Sequence, residues 1–495
     1  MYGMEESDSS IVPTKPTNKT GKPAAEPVEG SDGTERNASL QSTSRTQCRG
    51  IVSQAQARIR EAATRNKTEK LTALLHHITV DSLRCVFLEL KRNAAPGVDG
   101  ETWEHYGEDL DRNLIDLHRR VHVGAYRAQP SRRKYIPKPD GKQRPLGIAA
   151  LEDKLVQGAV VAILTPIYEA EFLGFSYGFR PGRSQHQALD ALYVGLTRRK
   201  VNWVLDADIA RFFDTISHKW LITFMEHRIG DRRIIRLIQK WLKAGVMEDG
   251  RKIETDEGTP QGAVISPLLA NIYLHYTLDL WAEQWRRRHA TGDMVIVRFA
   301  DDSIAGFQHR QDAERFLLDL QERLACFALS LHPDKTRLIE FGRFAAGSRR
   351  RRGDDRPETF DFLGFTHFCD RRRKNGSFVI GRQTKRGARL AKLRQIKEEL
   401  RTRLNRSIDS NGRWLGAVLR GHYAYYGVPR NTRSMQVFYD EVSCLWLKRL
   451  RRRGQRHPLT WKKMKTCIKR YLPPPRVVHP WPSKRFDVRG LVSPT

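Results

Sequence analysis

The sequence predicts an α+β fold, in which helices and strands are mixed without the regular alternation of a doubly wound sheet. Two observations carry this prediction. Short apolar runs typical of buried strands lie at 202–207 and 295–307, whereas apolar residues recur at three- to four-residue spacing in many longer segments. Hydrophobic residues make up 39% of the chain, which is enough to bury a core, and the length of 495 residues suggests about three domains.

The N-terminal part begins with a segment that is poor in apolar residues. Residues 1–53 are rich in Ser, Thr, Pro, Gly, Lys and Glu, and such a composition predicts a disordered tail. After it, the local patterns predict these elements in order: a helix at 54–92, a turn at 95–100, a helix at 102–121, two strands around the Asp140-Gly141 turn within 135–148, and a helix at 152–168.

The central and C-terminal parts carry the remaining patterns. They predict a strand at 202–207, a helix at 262–286, two strands joined by an acidic turn within 295–307, and helices at 311–329, 385–409, 413–427 and 435–453. The Arg-rich stretch 343–358 predicts a basic loop inserted at the edge of the central domain. The last three helices each have an apolar stripe, which predicts a three-helix bundle.

The charge balance excludes an ordinary metabolic enzyme as the default. The formal net charge is +32, far above the magnitude of about 2–8 that solubility of a small domain needs. Basic side chains in such excess favour a polyanionic partner, because each neutralised phosphate releases a condensed counterion. We therefore expect a nucleic-acid-binding protein.

The cysteines and apolar runs indicate a cytoplasmic protein without a membrane anchor. The six cysteines are scattered singly and form no CxxC pair, so neither a zinc ribbon nor a disulfide framework is predicted. The first forty residues contain no signal-peptide core, and the apolar stretch 263–281 is interrupted by polar residues.

Two acidic motifs far apart in the sequence are the best candidates for chemistry. Asp206 and Asp208 close an apolar strand, and Asp301 and Asp302 lie at the tip of the predicted hairpin. Any one of these residues could be an ordinary turn or cap aspartate, and Asp214 could simply cap a helix. Together, carboxylates at the ends of apolar strands are costly unless a cation compensates them, which predicts a magnesium site.

A series of segments, in the same order along the chain, resembles the reverse transcriptase and maturase proteins encoded by bacterial group II introns. The segments are Gly97-Val-Asp-Gly100, Ile136-Pro-Lys-Pro-Asp-Gly-Lys-Gln-Arg-Pro-Leu-Gly-Ile148, Ser176-Tyr-Gly-Phe-Arg-Pro-Gly-Arg-Ser184, Asp208-Ile-Ala-Arg-Phe-Phe-Asp214, Gly258-Thr-Pro-Gln-Gly-Ala-Val-Ile-Ser-Pro-Leu-Leu-Ala-Asn271, Phe299-Ala-Asp-Asp302, Leu331-His-Pro-Asp-Lys-Thr336 and Phe360-Asp-Phe-Leu-Gly-Phe365. The resemblance covers about 95–368 and extends through a maturase-like part to about 485.

The resemblance implies a right-hand polymerase with fingers, palm and thumb. Residues 54–200 would form the fingers, 201–370 the palm, and 371–495 the thumb and maturase region. Some members of the family carry a C-terminal HNH endonuclease with paired cysteines, and we expect none in this chain.

The same resemblance assigns roles in the active site. Asp208 and Asp301 would bind two catalytic Mg²⁺ ions, with the backbone carbonyl of Ile209 as a further ligand and Asp302 beside them. The residues expected to contact the incoming deoxynucleotide are Lys138, Arg144, Phe213 and Gln261. Phe213 would exclude a ribose 2′-hydroxyl, although an aromatic residue here could equally belong to the core. Two positions depart from the common family form, Phe299 for Tyr and Ala210 for Lys.

A further set of basic and aromatic residues is predicted to contact RNA or DNA. They are Arg180, Arg183, Lys335, Tyr423, Lys448, Arg449, Arg451 and Arg452. A tyrosine at 423 is also typical of a helical core, and the run at 448–452 could be a solvated helix end.

The predicted function is RNA-directed DNA polymerase and intron maturase. The expected partners are group II intron RNA, an RNA template with a DNA primer, a DNA target and deoxynucleotides, with a homodimer left open and no membrane partner. The alternatives are a non-enzymatic RNA-binding splicing cofactor, a reverse transcriptase of another bacterial system such as a retron, a CRISPR-linked or a phage-defence system, and more remotely a viral RNA replicase.

Overall fold

The computed structural model describes residues 38–137, 143–253, 257–259, 261–354, 356–452 and 459–485. Helices and strands are mixed along the chain, so the predicted α+β class is confirmed. Buried apolar side chains form three clusters. The first joins the N-terminal helices to one face of a central sheet, the second covers the other face, and the third lies among the C-terminal helices.

The helices and strands are numbered in chain order. The helices are α1 (Ala38–Arg65), α2 (Val80–Glu89), α3 (Trp103–Glu108), α4 (Leu110–His122), α5 (Leu151–Glu169), α6 (Gln185–Arg198), α7 (Phe212–Thr215), α8 (His218–Glu226), α9 (Arg232–Lys243), α10 (Ser266–Leu274), α11 (Leu280–Arg288), α12 (Arg310–Ala325), α13 (Ala345–Arg352), α14 (Arg386–Thr402), α15 (Ile408–Tyr426), α16 (Thr432–Arg451), α17 (Trp461–Tyr471) and α18 (Pro482–Arg485). The strands are β1 (Ser131–Pro137), β2 (Gln143–Ile148), β3 (Trp203–Asp208), β4 (Val246–Glu248), β5 (Arg251–Ile253), β6 (Met294–Phe299), β7 (Asp302–Phe307), β8 (Arg337–Glu340), β9 (Phe360–Phe362), β10 (Phe365–Arg371) and β11 (Phe378–Thr384).

Helix α1 begins inside the segment that we predicted as a tail. Residues 1–37 of that segment lie outside the described residues, but the helix starts at Ala38. Ile59 and Ala63 on α1 are buried in the first cluster, and the Gln56 side chain donates a 3.1 Å hydrogen bond to the Ala162 carbonyl on α5. The tail boundary at residue 53 is therefore wrong, since the helix that packs on α5 starts before it.

A four-stranded sheet in the order β2-β1-β4-β5 covers one side of the N-terminal part. Strands β1 and β2 pair antiparallel, as predicted for 135–148, while the turn at Asp140-Gly141 lies outside the described residues. Strand β1 also pairs with β4, with Ser131 opposite Val246. This pairing fixes the hairpin against the segment that comes after α9.

The central sheet has the order β6-β7-β3-β8, and all neighbouring strands are antiparallel. Successive side chains of β3 alternate between its two faces, so Leu205 packs in the first cluster and Val204 in the second. The predicted strand at 202–207 and the two strands within 295–307 are confirmed by β3, β6 and β7. Burial on both faces explains why these strands read as continuous apolar runs.

The C-terminal part combines a small sheet with a helical bundle. The sheet has the order β11-β10-β9, and the helices α14 to α17 enclose the third cluster, which includes Ile396, Leu419, Trp446 and Met464. The three predicted helices correspond to α14, α15 and α16, and α17 adds a fourth. The predicted loop at 343–358 is wrong in part, because α13 occupies its first half with Ala345 buried.

Across the described ranges, no helix combines the length and apolar character needed to span a bilayer. The predicted boundaries at 200 and 370 remain predictions.

Candidate active site

Three aspartates meet at one end of the central sheet. Asp208 is the last residue of β3, Asp302 is the first residue of β7, and the two lie opposite each other in the antiparallel register. Asp301 and Ala300 form the two-residue turn between β6 and β7, where Ala300 has a φ of +56°. Directly opposite residues have Cβ atoms only about 4.5–5.5 Å apart, so the register alone places these carboxylates together.

Asp206 adds a fourth carboxylate on the same face. It lies two residues before Asp208 on β3, and its Oδ2 is 4.0 Å from the Arg337 guanidinium. Burial raises its pKa to about 7, with further contributions from Asp302 and Asp208. Such concentrated negative charge is unfavourable unless cations approach it.

The pKa values of the neighbouring carboxyls are raised for the same reasons. Desolvation by the surrounding protein raises the pKa of Asp302 to about 6, and the charges of Asp301 and Asp208 add to the shift. Burial also raises the pKa of Asp301, and the Asp208 carboxylate raises it further. Both shifts indicate a site where the protein supplies too little positive charge to balance its carboxylates.

Lys335 is a second cation that contacts this cluster. Its ammonium forms an ion pair and hydrogen bond with the Asp208 carboxylate, and this contact raises the pKa of Lys335. The Lys335 loop is held in place because the His332 amide donates a 2.7 Å hydrogen bond to the Asp208 carbonyl. Ile209, the predicted backbone ligand, forms a bridge with Leu331 of the same loop. We predicted Lys335 as a nucleic-acid contact, and the structure places it on a candidate metal ligand.

The donor set fits a hard divalent cation that also binds substrate oxygens. Magnesium is held by one or two carboxylates plus substrate phosphates rather than by a complete protein cage. Asp208 and Asp301 therefore fit a site that substrate completes.

A buried arginine lies directly beneath the acidic turn. Arg298 on β6 is fully buried, and its guanidinium bonds both carboxylate oxygens of Asp279, at 2.7 and 2.5 Å. It also donates to the Asn271 amide oxygen at 3.1 Å, to the Ser176 hydroxyl at 2.7 Å and to the Ala300 carbonyl at 2.9 Å. The contact with Ala300 ties the turn to the protein interior.

Asp279 reaches this position through an irregular helix. The five residues His275–Asp279, between α10 and α11, form a π-helical turn. A π turn inserts one residue into a helix and rotates the residues after it, and such turns are frequent at functional sites. The sequence patterns did not predict this network, although an arginine inside the apolar run Val295-Ile-Val-Arg-Phe299 was a signal for it.

The residues predicted to contact a nucleotide lie beside the carboxylates. The Arg144 guanidinium on β2 donates a 2.9 Å hydrogen bond to the Gln261 side-chain oxygen, and the Gly147 amide donates to the Gln261 carbonyl at 2.6 Å. Phe213 is half-buried and, with Asp214 and Gln261, lines a cavity of about 310 Å³. Lys138 and Pro260 lie outside the described residues. Arg144, Phe213 and Gln261 therefore lie near one another, and their contact with a nucleotide stays a prediction.

The structure contradicts the prediction that Arg180 binds nucleic acid. Arg180 is buried, forms an ion pair with Glu169, and donates 2.7 Å hydrogen bonds to the carbonyls of Leu173 and Ser176. Arg183 is half-buried, with its guanidinium over the Tyr177 ring and a 3.3 Å hydrogen bond to the Gly174 carbonyl. Arg180 instead stabilises the loop that precedes α6, whereas a nucleic-acid contact by the half-buried Arg183 stays a prediction.

Tyr423 is a second correction, because it belongs to the core of the helical bundle. Only 3% of it is exposed, and its hydroxyl donates a 3.2 Å hydrogen bond to the Pro473 carbonyl. A ring buried in the third cluster cannot stack on a base.

The basic run at the end of α16 remains accessible in part. Lys448, Arg451 and Arg452 are exposed, whereas the side chain of Arg449 donates a 2.8 Å hydrogen bond to the Leu400 carbonyl. The Arg451 guanidinium bonds the Leu459 carbonyl at 2.9 Å. Lys448, Arg449 and Arg452 line a cavity of about 280 Å³. Lys397 and Arg401 of α14 line the same cavity.

Comparison with known proteins agrees with this geometry. Residues 136–367 match the family described as reverse transcriptase (RNA-dependent DNA polymerase). Protein YkfC of Escherichia coli (strain K12) is 38% identical over 233 residues, which are 46% of this chain and 61% of that protein. Group II intron-encoded protein LtrA of Lactococcus lactis subsp. cremoris is 38% identical over 244 residues, 47% of this chain and 40% of that protein. This chain therefore spans less than two thirds of either relative.

Proposed function

Because residues 136–367 make this chain a member of the reverse transcriptase family with group II intron-encoded relatives, we propose that it is an intron-encoded RNA-directed DNA polymerase. The observation that carries the proposal is the register that sets Asp208 opposite Asp302, with Asp301 in the adjoining turn. In this proposal, the central sheet is the palm, the β1–β2 hairpin belongs to the fingers, and helices α14 to α17 form the thumb.

Asp208 and Asp301 would hold two Mg²⁺ ions, with the Ile209 carbonyl as a further ligand. When bound, such ions activate the primer 3′-hydroxyl and stabilise charge on the α-phosphate and the leaving pyrophosphate. The protein's own task is to fix positions. Asp302 and the Arg298 anchor hold the turn that carries Asp301, and Arg144 places positive charge near the triphosphate.

The nucleotide would bind in the cavity beside the β2 strand. Gln261 is held by Arg144 and by the Gly147 amide, so its side chain is preorganised at the edge of this cavity. Phe213 lines the same space, where its ring would crowd the 2′ position of the sugar. We therefore assign the preference for deoxynucleotides to Phe213.

The second part of the proposal is a maturase role in the cytoplasm. The chain would bind its intron RNA and support splicing, and it would copy that RNA from a nicked DNA target during retromobility. The basic cavity formed by α14 and α16 is one surface for this binding. Splicing chemistry itself would belong to the RNA.

Primer extension on poly(rA)/oligo(dT) with Mg²⁺ tests the polymerase. We expect the wild type to incorporate dTTP and Asp301→Ala to be inactive while remaining folded. Glu322→Ala, which removes an exposed carboxylate from α12, is the matched control and is expected to stay active. A wild type that binds RNA but incorporates nothing would favour a non-enzymatic splicing cofactor instead.

A further inference from the structure

A strongly basic pocket lies on the C-terminal part of the molecule, apart from the acidic cluster. It has a volume of about 810 Å³, and its lining includes an exposed tryptophan, Trp481. The cations that line it are Arg372, Arg373, Lys374, Arg430, Arg433 and Lys484. One carboxylate, Asp370, is also part of the lining.

Most of this positive charge is uncompensated. The Asp370 carboxylate is paired with Arg430. Within the part of the chain that the structure describes, the remaining cations form no ion pair; they are Arg372, Arg373, Lys374, Arg433 and Lys484. Five like charges converging on one concavity repel each other, so an anionic ligand would stabilise the site.

The pocket is built from three separate segments that are each held in place. Arg372, Arg373 and Lys374 lie on the loop that joins β10 to β11. Arg430 precedes α16 and has a φ of +72°, a conformation that costs energy for a residue other than glycine and is found at functional sites. Its guanidinium donates to the Arg371 carbonyl at 3.2 Å, which joins the second segment to the first.

The third segment carries Trp481. The amides of Val478 and His479 both donate to the Gly427 carbonyl, at 2.8 and 3.0 Å, and the His479 ring stacks on His186 at 3.9 Å. Pro482, the next residue after Trp481, is buried. The indole is therefore presented to the pocket by a fixed backbone, which lowers the entropy lost on binding.

The position of the pocket separates it from the site of copying. Lys385, the residue after β11, forms an ion pair with Asp361 at 3.1 Å. The charge of Lys385 also partly offsets the raised pKa of Asp302. This end of the small sheet is therefore near the acidic cluster. The β10–β11 loop is at the other end of the sheet, and a strand of seven residues spans about 20 Å. A ligand in this pocket would therefore lie about 20 Å from the nucleotides that react at the acidic cluster.

We propose that this pocket binds a segment of single-stranded RNA, with a base stacked on Trp481 and its neighbouring phosphates on the surrounding arginines. Phosphates would neutralise the cations, and a base would stack on the exposed indole. This combination favours nucleic acid over an acidic peptide. The inference rests on the proposed function, in which the chain binds its intron RNA as a maturase.

Photo-cross-linking locates the RNA on the protein. The full chain, with its cleft saturated by poly(rA)/oligo(dT), is irradiated with a fluorescein-labelled RNA of about 12 nucleotides that contains 5-iodouridine. We expect the cross-linked peptide to contain Trp481. Cross-links that map only elsewhere, or displacement of the RNA by poly-glutamate but not by poly(U), would overturn the proposal.

Binding of the same probe tests the chemistry of the site. We expect W481A to lower the affinity for the probe about tenfold. The affinity of W481F should stay within about threefold of the wild type, because a phenyl ring still stacks on a base. In R372A/R373A, the plot of the logarithm of the association constant against the logarithm of the salt concentration should become less steep by about 1.4. Each phosphate contact with a single strand contributes about 0.7 to this slope. The matched control R350A/R351A removes two exposed arginines from α13 and should leave the slope unchanged. Equal binding by all variants would contradict the proposal.

The two proposals fail separately. If the wild type cross-links through Trp481 but extends no primer, the polymerase proposal is lost and the RNA site remains. If it extends primers but its affinity does not depend on Trp481, the RNA site is lost and the polymerase proposal remains.

Discussion

The Arg298 guanidinium donates a 2.9 Å hydrogen bond to the carbonyl of Ala300, the residue immediately before Asp301. The same guanidinium is held by both oxygens of Asp279, so a buried ion pair determines where the acidic turn lies. Ala300 has a positive φ, which only a well-determined turn maintains in a residue with a side chain. We assign Arg298 and Asp279 as positioning residues.

We expect Arg298→Met to lose both stability and activity. It leaves Asp279 buried and unpaired, which costs about 3–5 kcal/mol. The double variant Arg298→Met/Asp279→Leu removes both charges and should recover most of the unfolding free energy, measured by urea denaturation. Its kcat should nevertheless stay about 100-fold low with little change in KM, because the turn is no longer anchored. A double variant with wild-type kcat would show that the pair has only a structural role.

The sequence predicted those parts of the site that leave a local pattern in the chain, and it missed those that depend on tertiary structure. The acidic motifs were found because each closes a short apolar strand, and the pairing of β3 with β7 then brings them together in the sheet. Arg298 and Asp279 were missed because their pairing depends on a π-helical turn, which has no periodic signature in the sequence. Arg180 and Tyr423 were misassigned because their burial is a tertiary property that residue type does not reveal.

The fold was predictable to a similar extent. Apolar stripes located the three C-terminal helices, since packing in the third cluster requires those stripes, but they placed the end of α14 seven residues too late and the start of α15 five residues too late. The helix α13 was missed because Arg349-Arg-Arg-Arg352 carries no apolar stripe, and Ala345 is the buried residue that attaches it to the protein. Helix α1 was placed too late for a related reason, because its first half is polar.

We expect removal of the Lys335 ammonium to tighten Mg²⁺ binding. Lys335 pairs with Asp208, so the ammonium and the metal compete for the same carboxylate. The Lys335 side chain is largely exposed, and exposed ion pairs have an interaction free energy of about 0.2–1 kcal/mol. The Mg²⁺ concentration at half-maximal primer extension should therefore fall about 1.4- to fivefold in Lys335→Met.

The control for this titration is Lys219→Met, which removes an exposed lysine from α8. It should leave the half-maximal Mg²⁺ concentration unchanged. A higher requirement for Mg²⁺ in Lys335→Met would mean that Lys335 assists metal binding and does not compete with it.

Phe213→Val should relax the choice of sugar. The ring lines the cavity next to Gln261, and in the proposed binding mode it would occupy the space that a 2′-hydroxyl needs. Discrimination against one added hydroxyl by packing is worth about 100-fold, and we expect most of it to be lost. The measurement is the ratio of kcat/KM for dTTP and UTP on poly(rA)/oligo(dT). Tyr135→Phe, which keeps a ring elsewhere in the same cavity, should retain the wild-type ratio, and an unchanged ratio in Phe213→Val would assign selectivity to another residue.

His422 should make the helical bundle less stable in mild acid. It is buried in the bundle with its ring stacked on Phe438 at 3.9 Å, and burial lowers its pKa from 6.5 to about 4, with Lys392 of α14 adding to the shift. The folded pKa is the lower one, so as the pH falls below 6.5 the unfolded chain takes up a proton that the folded chain does not. The unfolding free energy is therefore not reduced by His422 above pH 6.5, and it falls progressively as the pH is lowered toward 4.

Between pH 7 and pH 5 this linkage amounts to about 2 kcal/mol of unfolding free energy. His275 and His367 are also buried with lowered pKa values and add to this loss, whereas the raised pKa values of Asp206 and Asp302 act in the opposite direction, so the test compares the variant with the wild type. In His422→Phe, which keeps the stacking and cannot be protonated, the difference between urea denaturation at pH 7 and at pH 5 should shrink by about 2 kcal/mol. The exposed His76→Gln control should retain the full difference. If His422→Phe shows the wild-type pH dependence, His422 must be able to accept a proton in the folded bundle, and the acid sensitivity must arise from other groups.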